Sequence, residues 1–208
     1  MTRGKFITLE GGEGVGKSTQ AALLADALRA REITVVVTRE PGGTSGAEAI
    51  RALLMTGDED RWSARAETLL FAAARADHVE KVIRPAQDRG DWVICDRVID
   101  STRAYQGGAG GVSDDDILAL HRVGSGGLMP DRTLLLQLSE EEASDRVRRR
   151  VGVSDDRFGT RELAYHRRLN TAFSNFAENE PDRFRLINSF GSVQSITLQL
   201  LSALDDLV

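Results

Sequence analysis

The sequence has a single cysteine, three histidines and only 5% aromatic residues. Because Cys95 has no partner in the chain, an internal disulfide is excluded, which favours a reducing compartment, and we expect a cytoplasmic protein. No apolar run approaches the length of a membrane span, and the first residues, MTRGKFITLEGG, do not form a secretory signal. The scattered histidines show no metal-ligand spacing and give no support for Ser-His-Asp or Cys-His catalysis.

The sequence also has no excess of positively charged residues. The 27 basic and 32 acidic residues leave a net charge of −5, whereas a protein that binds nucleic acid without sequence preference needs a basic face. We therefore expect neither a nucleic-acid partner nor a membrane partner. The 208 residues, 41% of them apolar, contain no internal repeat and suit one globular domain over 1–208.

Short apolar segments rich in β-branched residues alternate with segments of helical periodicity. The alternation predicts an α/β fold, with a five-stranded parallel sheet covered by helices on both faces. In such sheets ligands bind at the carboxyl ends of the strands. The glycine-rich segment 106–114 is interpreted as a flexible loop, with Ser113 as the N-cap of the following helix. Strands are predicted at 5–10, 33–38, 92–96, 132–138 and 184–188, and helices at 17–31, 46–56, 64–84, 114–123, 139–150, 160–179 and 192–207.

The segment EGGEGVGKST, residues 10–19, follows the first predicted strand and opens the first predicted helix. Its Gly-x-x-x-x-Gly-Lys-Ser pattern, from Gly11 to Ser18, is that of a phosphate-binding P-loop. Glycines allow successive backbone N–H groups to surround an anion, Lys17 would reach the β- and γ-phosphates, and the Ser18 hydroxyl would bind Mg²⁺. The alternative is a glycine-rich turn with a chance lysine. The loop does not indicate the reaction, since switch GTPases, motor ATPases and small-molecule kinases share it.

The third predicted strand ends in the pair Asp96-Arg97. A carboxylate at this point is expected on the Mg²⁺ side of a P-loop. Arg97 would add a bidentate phosphate donor beside the metal. The alternative is a surface arginine that closes the strand.

On the long helix predicted at 64–84, Phe71 and Arg75 share one face because they are four residues apart. An aromatic ring beside a guanidinium suits a nucleobase. The alternative is that Phe71 belongs to the core and Arg75 is solvated, and spacing alone favours that alternative. A second stripe on the helix is interpreted as core-facing and contains Leu69, Ala73, Ala76 and Ile83.

The segment SEEEASDRVRRR, residues 139–150, has acids in its first turn and arginines in its last. The helix dipole accounts for that distribution, but the arginines can equally well lead into a lid that closes over transferring phosphates. Spacing does not separate the two interpretations. A nucleotide switch protein is a further class, although its usual Asn-Lys-x-Asp guanine motif is missing from the sequence.

Four ordered motifs resemble the thymidylate kinase family, in its bacterial type, over nearly the whole chain. They are EGGEGVGKST (10–19), TREPGGT (38–44), LLFAAARADH (69–78) and DRVIDSTRAYQGG (96–108). The resemblance implies a three-layer P-loop kinase fold with a lid at about 147–160. It also implies transfer of a phosphoryl group from ATP to dTMP, with Mg²⁺, in a homodimer. The alternative is another nucleoside monophosphate kinase or a deoxynucleoside kinase. Val98, where the family usually has an aromatic residue, and Gly159, where it usually has an acidic one, depart from the pattern.

The same resemblance implies roles for individual residues. Phe71 would stack on thymine, Tyr105 would crowd the 2′ position of the sugar, and Arg150 would contact the transferring phosphoryl group. The ATP site would contain Gly11, Gly12, Glu13, Gly14, Val15, Gly16, Lys17, Ser18, Thr19 and Arg146. The dTMP site would contain Glu40, Arg51, Phe71, Arg75, Arg97, Thr102, Tyr105 and Gln106. Catalysis would depend on Lys17, Arg97, Arg150 and Glu13, and the metal would be bound by Ser18 and Asp96.

Overall fold

A computed structural model describes residues 2–58, 60–138 and 163–208. Within these ranges five strands form a parallel sheet: Phe6–Glu10 (β1), Val35–Arg39 (β2), Trp92–Asp96 (β3), Arg132–Gln137 (β4) and Phe184–Asn188 (β5). Their order in the sheet is β2-β3-β1-β4-β5. This confirms the predicted five-stranded parallel α/β fold, and the bounds of β3 and β5 match the predicted ones.

Helices connect the strands and cover both faces of the sheet. The helices of the described residues are Lys17–Arg29 (α1), Ser45–Met55 (α2), Ala64–His78 (α3), Arg84–Asp88 (α4), Ile99–Thr102 (α5), Asp114–Ser125 (α6), Leu163–Asn179 (α7) and Val193–Ser202 (α8). Two π-helical turns extend them: Val79–Ile83 joins α3 to α4, and Arg103–Ala109 continues α5. No helix in the described residues is both long enough and apolar enough to span a bilayer.

The two faces of the sheet pack into different apolar clusters because successive side chains of a strand point in opposite directions. In β1, Ile7 and Leu9 pack with Leu24 of α1 and Leu200 of α8. Phe6 points to the other face and packs in the cluster that contains Ile83 and Ile117. A third cluster packs α7 against β4 and against the π-helical turn Arg103–Ala109. It contains Leu135, Tyr165, Leu169 and Phe173.

The predicted N-cap at Ser113 is confirmed, since its side chain accepts a hydrogen bond from the Asp116 N–H at 3.2 Å. Thr44 and Ser63 cap α2 and α3 in the same way. These caps satisfy backbone donors that the first turn of a helix leaves free.

The prediction of a flexible loop over 106–114 is wrong for its first half, because the π-helical turn Arg103–Ala109 runs through it. The glycines there serve close packing. A Cβ on Gly108 would lie 2.4 Å from the Cβ of Ala172 on α7. Packing against α7 therefore offsets the low helical propensity of glycine.

The prediction of a core-facing stripe on the long helix is wrong at Leu69, which is 55% exposed, and at Ala73, which is also exposed, but it is correct at Ile83, which is fully buried. Arg75 and His78 are buried as well. The helix is rotated so that its polar face points inward, toward the strand ends. The helical segment also extends beyond the end predicted at residue 84. It continues through the π-helical turn Val79–Ile83 into α4, where Pro85 occupies the first turn.

Candidate active site

A cleft of about 320 Å³ opens where the carboxyl ends of β1, β2 and β3 meet. All eight residues predicted for the dTMP site line this cleft: Glu40, Arg51, Phe71, Arg75, Arg97, Thr102, Tyr105 and Gln106. The P-loop side contributes Glu13, Gly14, Gly16, Lys17, Ser18 and Thr19, and β3 contributes Asp96. Of the other predicted loop residues, Val15 packs into the core instead, and Gly11 and Gly12 are not among the residues that line the cleft.

The P-loop backbone requires glycine at its first position. Gly11 has a φ of +133°, and a Cβ there would lie 2.3 Å from the carbonyl oxygen of Leu136. Lys17 begins α1, and its Nζ donates hydrogen bonds to the carbonyls of Gly11 at 3.1 Å and Gly12 at 2.6 Å. Burial, followed by the nearby Arg97 charge, lowers the pKa of Lys17 to about 8. The ammonium is therefore still mostly charged at neutral pH, at the helix N-terminus that favours anions.

The predicted metal pair lies together at the mouth of the loop. Ser18 Oγ donates to Asp96 Oδ2 at 2.5 Å. Asp96 Oδ1 is buried without a hydrogen-bond partner in the described part of the chain. An unsatisfied carboxylate oxygen beside a hydroxyl fits Mg²⁺, which takes oxygen ligands and keeps places for phosphate and water. The described residues contain no group of three or more His, Cys, Asp or Glu that can hold a metal.

Arg97 follows β3 and reaches back over the P-loop. Its Nη1 donates to the Gly11 carbonyl at 3.0 Å and to Ser101 Oγ at 3.1 Å, and its Nη2 donates to Glu13 Oε1 at 2.6 Å. Burial opposes the charge, but Glu13 holds the pKa of Arg97 above its ordinary value. The guanidinium is thus a fixed positive charge between the loop and the acceptor half of the cleft.

Glu13 joins the two halves of the cleft. It accepts the bond from Arg97, and it also accepts one from the Tyr105 hydroxyl at 2.9 Å. Burial alone would raise the pKa of Glu13, but Arg97 and Lys17 lower it to about 2. The ring of Tyr105 lies 5.0 Å from the guanidinium carbon of Arg97. The carboxylate therefore stays ionised and holds both side chains in place.

Arg75 is held from three sides. Its Nε donates to Glu40 Oε2 at 2.7 Å, and its Nη2 donates to Thr102 Oγ1 at 2.8 Å and to the Val98 carbonyl at 3.2 Å. The other oxygen of Glu40 lies 3.1 Å from His78 Nδ1. Burial would raise the pKa of Glu40, but Arg75 and His78 lower it. Arg75 Nη1 forms no hydrogen bond within the described residues, so its two N–H groups are the donors left for a ligand.

Gln106 and Arg51 complete the acceptor half. Gln106 is buried and its Nε2 donates to Glu67 Oε2 at 3.2 Å, which orients its Oε1 as an acceptor. Arg51 Nη1 donates to the Pro41 carbonyl at 2.9 Å. The alternative favoured by spacing alone is wrong for Arg75, which is buried rather than solvated. Phe71 is half-buried: it packs against the third apolar cluster and also borders the cleft.

Sequence reasoning missed four residues that support the site: Glu10, Glu67, His78 and Ser101. Glu67 and His78 were detectable, since they lie on the Phe71–Arg75 face of α3 at helical spacing. Glu10 had no such signal, because its partners are about 90 residues away in the sequence. Burial and the Asp100 charge raise the pKa of Glu10 to about 7, although its bonds to Ser101 and Val98 favour the ionised form.

The predicted lid at about 147–160, with the helix predicted at 139–150, lies outside the described residues. Arg146 and Arg150 fall in this range, as does Gly159, and their roles stay predictions.

One half of the cleft contains the P-loop and the carboxylate at the end of β3, and the other half is rich in arginine. This arrangement defines a P-loop kinase, which binds a nucleoside triphosphate in the first half and a phosphorylated acceptor in the second. The model of the family described as "Thymidylate kinase" matches residues 9–198. The chain belongs to the thymidylate kinase family, as the resemblance predicted, and the predicted kinase class is confirmed.

Relatives and a solved structure agree with this assignment. The chain is similar to the thymidylate kinase of Rhizorhabdus wittichii, with 58% identity over 205 residues that cover 99% of each chain. It is 48% identical to that of Caulobacter vibrioides over 208 residues, covering 100% of this chain and 97% of the other. The crystal structure of the Ehrlichia chaffeensis enzyme superposes with a TM-score of 0.79 at 30% identity and covers 98% and 100% of the two chains.

Proposed function

We propose that the chain transfers the γ-phosphoryl group of ATP to dTMP, the reaction of its family, with ATP on the P-loop and dTMP in the pocket between α3 and α5. The observation that carries the assignment is the single cleft that the P-loop and all eight predicted acceptor residues share. A shared cleft brings the two substrates together in one geometry, which is the main requirement of phosphoryl transfer.

The polar groups of the acceptor pocket suit a thymine ring. Arg75 presents N–H donors only, so it favours a carbonyl at the 4-position of a pyrimidine and disfavours an amino group there. Gln106 Oε1 is the matching acceptor for a ring N–H. Phe71 supplies an aromatic face on which the base would stack.

The acceptor phosphate would lie between Arg97 and Arg51, and Tyr105 would border the sugar. A phosphate oxygen is already anionic near neutral pH, so the reaction needs no general base to activate it. The protein's task is to bring two polyanions into line and neutralise their charge. Lys17 and Arg97 both donate to the Gly11 carbonyl, so they would supply two neighbouring positive charges to the reacting groups, and Arg150 would add more from the lid.

Mg²⁺ would be held by Ser18 and Asp96, and when bound it would neutralise part of the β,γ-phosphate charge. The unsatisfied Oδ1 of Asp96 supports this assignment. In the Asp96→Asn variant, the concentration of Mg²⁺ needed for half-maximal turnover should rise.

A comparison of acceptors tests the proposal. ADP formation should be fastest with dTMP, lower with dUMP and much lower with dCMP, GMP and thymidine. Faster turnover with thymidine or GMP would contradict it and would favour a deoxynucleoside or purine nucleotide kinase. The Arg75→Lys variant tests the role of the guanidinium, because it keeps the positive charge but loses the planar donor geometry. This variant should discriminate less well between dTMP and dCMP than the wild type does.

The proposal also includes a homodimer in the cytoplasm. The exposed Leu69 of α3 and Val123 of α6 support the dimer, since α3 and α6 are neighbouring helices and apolar side chains of this size favour burial. Analytical ultracentrifugation should give twice the chain mass. The Leu69→Glu variant should shift the protein toward monomer, and an unchanged mass would exclude this face.

A further inference from the structure

Glu10, the last residue of β1, is fully buried and does not line the cleft. Its Oε1 accepts a hydrogen bond from the Val98 N–H at 2.8 Å, and its Oε2 accepts one from Ser101 Oγ at 2.6 Å. Both donors belong to the segment that follows β3. One carboxylate thus ties the start of the P-loop to the segment that carries Arg97.

The backbone around Arg97 has an uncommon conformation. Arg97 has a φ of +69°, in the left-handed region that is strained for a residue with a Cβ. Its N–H donates to the Leu9 carbonyl at 3.0 Å, and its carbonyl accepts from the Cys95 thiol at 3.1 Å. Such a turn persists only where its surroundings hold it. The Glu10–Val98 bond secures the residue directly after it.

The second bond acts on the Arg97 side chain. Ser101 Oγ donates to Glu10 and accepts from Arg97 Nη1 at 3.1 Å. The same Nη1 donates to the Gly11 carbonyl, the residue that follows Glu10. Glu10 is therefore linked to Arg97 through the backbone on one side and through the Ser101 hydroxyl on the other.

We propose that Glu10 is a positioning residue for phosphoryl transfer, which holds the Arg97 turn so that the guanidinium faces the acceptor phosphate. The inference rests on the proposed role of Arg97 as a phosphate ligand. Without the carboxylate the Val98 N–H is left buried and unsatisfied, at a cost that a shift of the turn would relieve. A displacement of Arg97 by about 1 Å is enough to lower turnover about 100-fold.

A double-mutant cycle with Glu10→Ala and Arg97→Ala tests this. Assays at about pH 8 keep the wild-type carboxylate ionised, since its pKa is about 7. Glu10→Ala alone should lower kcat/KM for dTMP about 100-fold, while the Kd of ATP measured without acceptor changes little. In the Arg97→Ala background the same substitution should cost less than about threefold, because there is no guanidinium left to position.

Two further variants separate positioning from folding. Glu10→Gln keeps an acceptor for the Val98 N–H and should lose less than about tenfold. Thr8→Val removes a buried hydrogen bond to Thr133 from the same strand, so it should lower the unfolding free energy without changing kcat/KM.

The outcomes are distinguishable. An equal loss from Glu10→Ala in both backgrounds, or an unchanged kcat/KM, overturns the positioning role. If Arg97→Ala itself leaves turnover intact, the proposed role of Arg97 fails, and the inference about Glu10 fails with it. If only the Arg97 variant is impaired, the proposed function survives and the inference alone is wrong.

Discussion

Arg75 and Glu40 form an ion pair in which both side chains are almost completely buried, at 2% and 3% exposure, with Nε and Oε2 2.7 Å apart. Arg75 lies on α3, and Glu40 directly follows β2. Their pairing places a fixed guanidinium in the acceptor pocket and explains why α3 turns its polar face inward. A buried charge is tolerated only with such a partner.

Glu40→Gln should therefore weaken both folding and acceptor binding. Removal of one partner leaves the Arg75 charge buried and uncompensated, which costs about 3 kcal/mol or more of unfolding free energy. The KM for dTMP should rise about tenfold or more, because Arg75 is no longer oriented. Denaturant unfolding and steady-state kinetics measure the two effects. Glu48→Gln is the matched control: its ion pair with Arg39 is exposed, so its loss should cost less than about 1 kcal/mol.

Lys17→Ala should lower kcat about 100- to 1000-fold while the fold survives, because the ammonium stabilises phosphate charge that increases in the transition state. Thermal unfolding and kcat should be measured on the same sample. Lys81→Ala removes a lysine that is 59% exposed and paired only at the surface, so it should leave kcat unchanged. Near-normal turnover of the Lys17 variant would exclude a catalytic role for the loop lysine.

Asp100→Asn should destabilise the fold strongly. Asp100 is fully buried and accepts from Arg183 Nη1 at 2.6 Å and from Arg103 Nη1 at 3.1 Å. Arg103 and Arg183 would lose this partner but keep Glu180, so the cost should lie at the low end of the range for breaking a buried ion pair, at about 3 kcal/mol. Asp205→Asn breaks an exposed pair with Arg31 and should cost less than about 1 kcal/mol. Equal effects of the two variants in urea unfolding would contradict this account.

His121 should make stability depend on pH. Its Nε2 donates to the Leu128 carbonyl at 2.9 Å, and its Nδ1 is buried without a partner in the described residues. Burial, followed by the Arg75 charge, lowers the pKa of His121 from 6.5 to about 4. The unfolded state binds the proton more tightly than the folded state does. The contribution of His121 to the free energy of unfolding is therefore fully present above pH 6.5 and is lost as the pH falls to about 4, a change of about 3 kcal/mol.

His121→Gln keeps a donor for the Leu128 carbonyl but cannot titrate. Unfolding free energies measured from pH 7 to pH 4 should therefore fall less steeply for the variant than for the wild type. Parallel curves would show that His121 does not carry this part of the acid sensitivity.

The sequence was sufficient to predict the features that depend on short-range spacing. The glycines, Lys17 and Ser18 of the P-loop follow one another along the chain, and their chemistry can be inferred from that order. Phe71 and Arg75 share a face because helical geometry requires it. The alternation of strands and helices was enough to predict a parallel sheet, since strands without a polar face must be covered on both sides.

Tertiary structure decided what depends on contacts between distant segments. The apolar pattern of α3 did not reveal that Leu69 faces outward, because the orientation of the helix is set by the pairing of Arg75 with Glu40. The glycines at 107 and 108 predicted a loop, yet both lie in a π-helical turn, where Gly108 packs on Ala172 and Gly107 lies close to Ile117. Glu10 reaches Val98 and Ser101 only because β1 and β3 are neighbours in the sheet. The order of the strands in the sheet depends on many weak contacts between segments that are distant in the sequence, and no local sequence pattern specifies it.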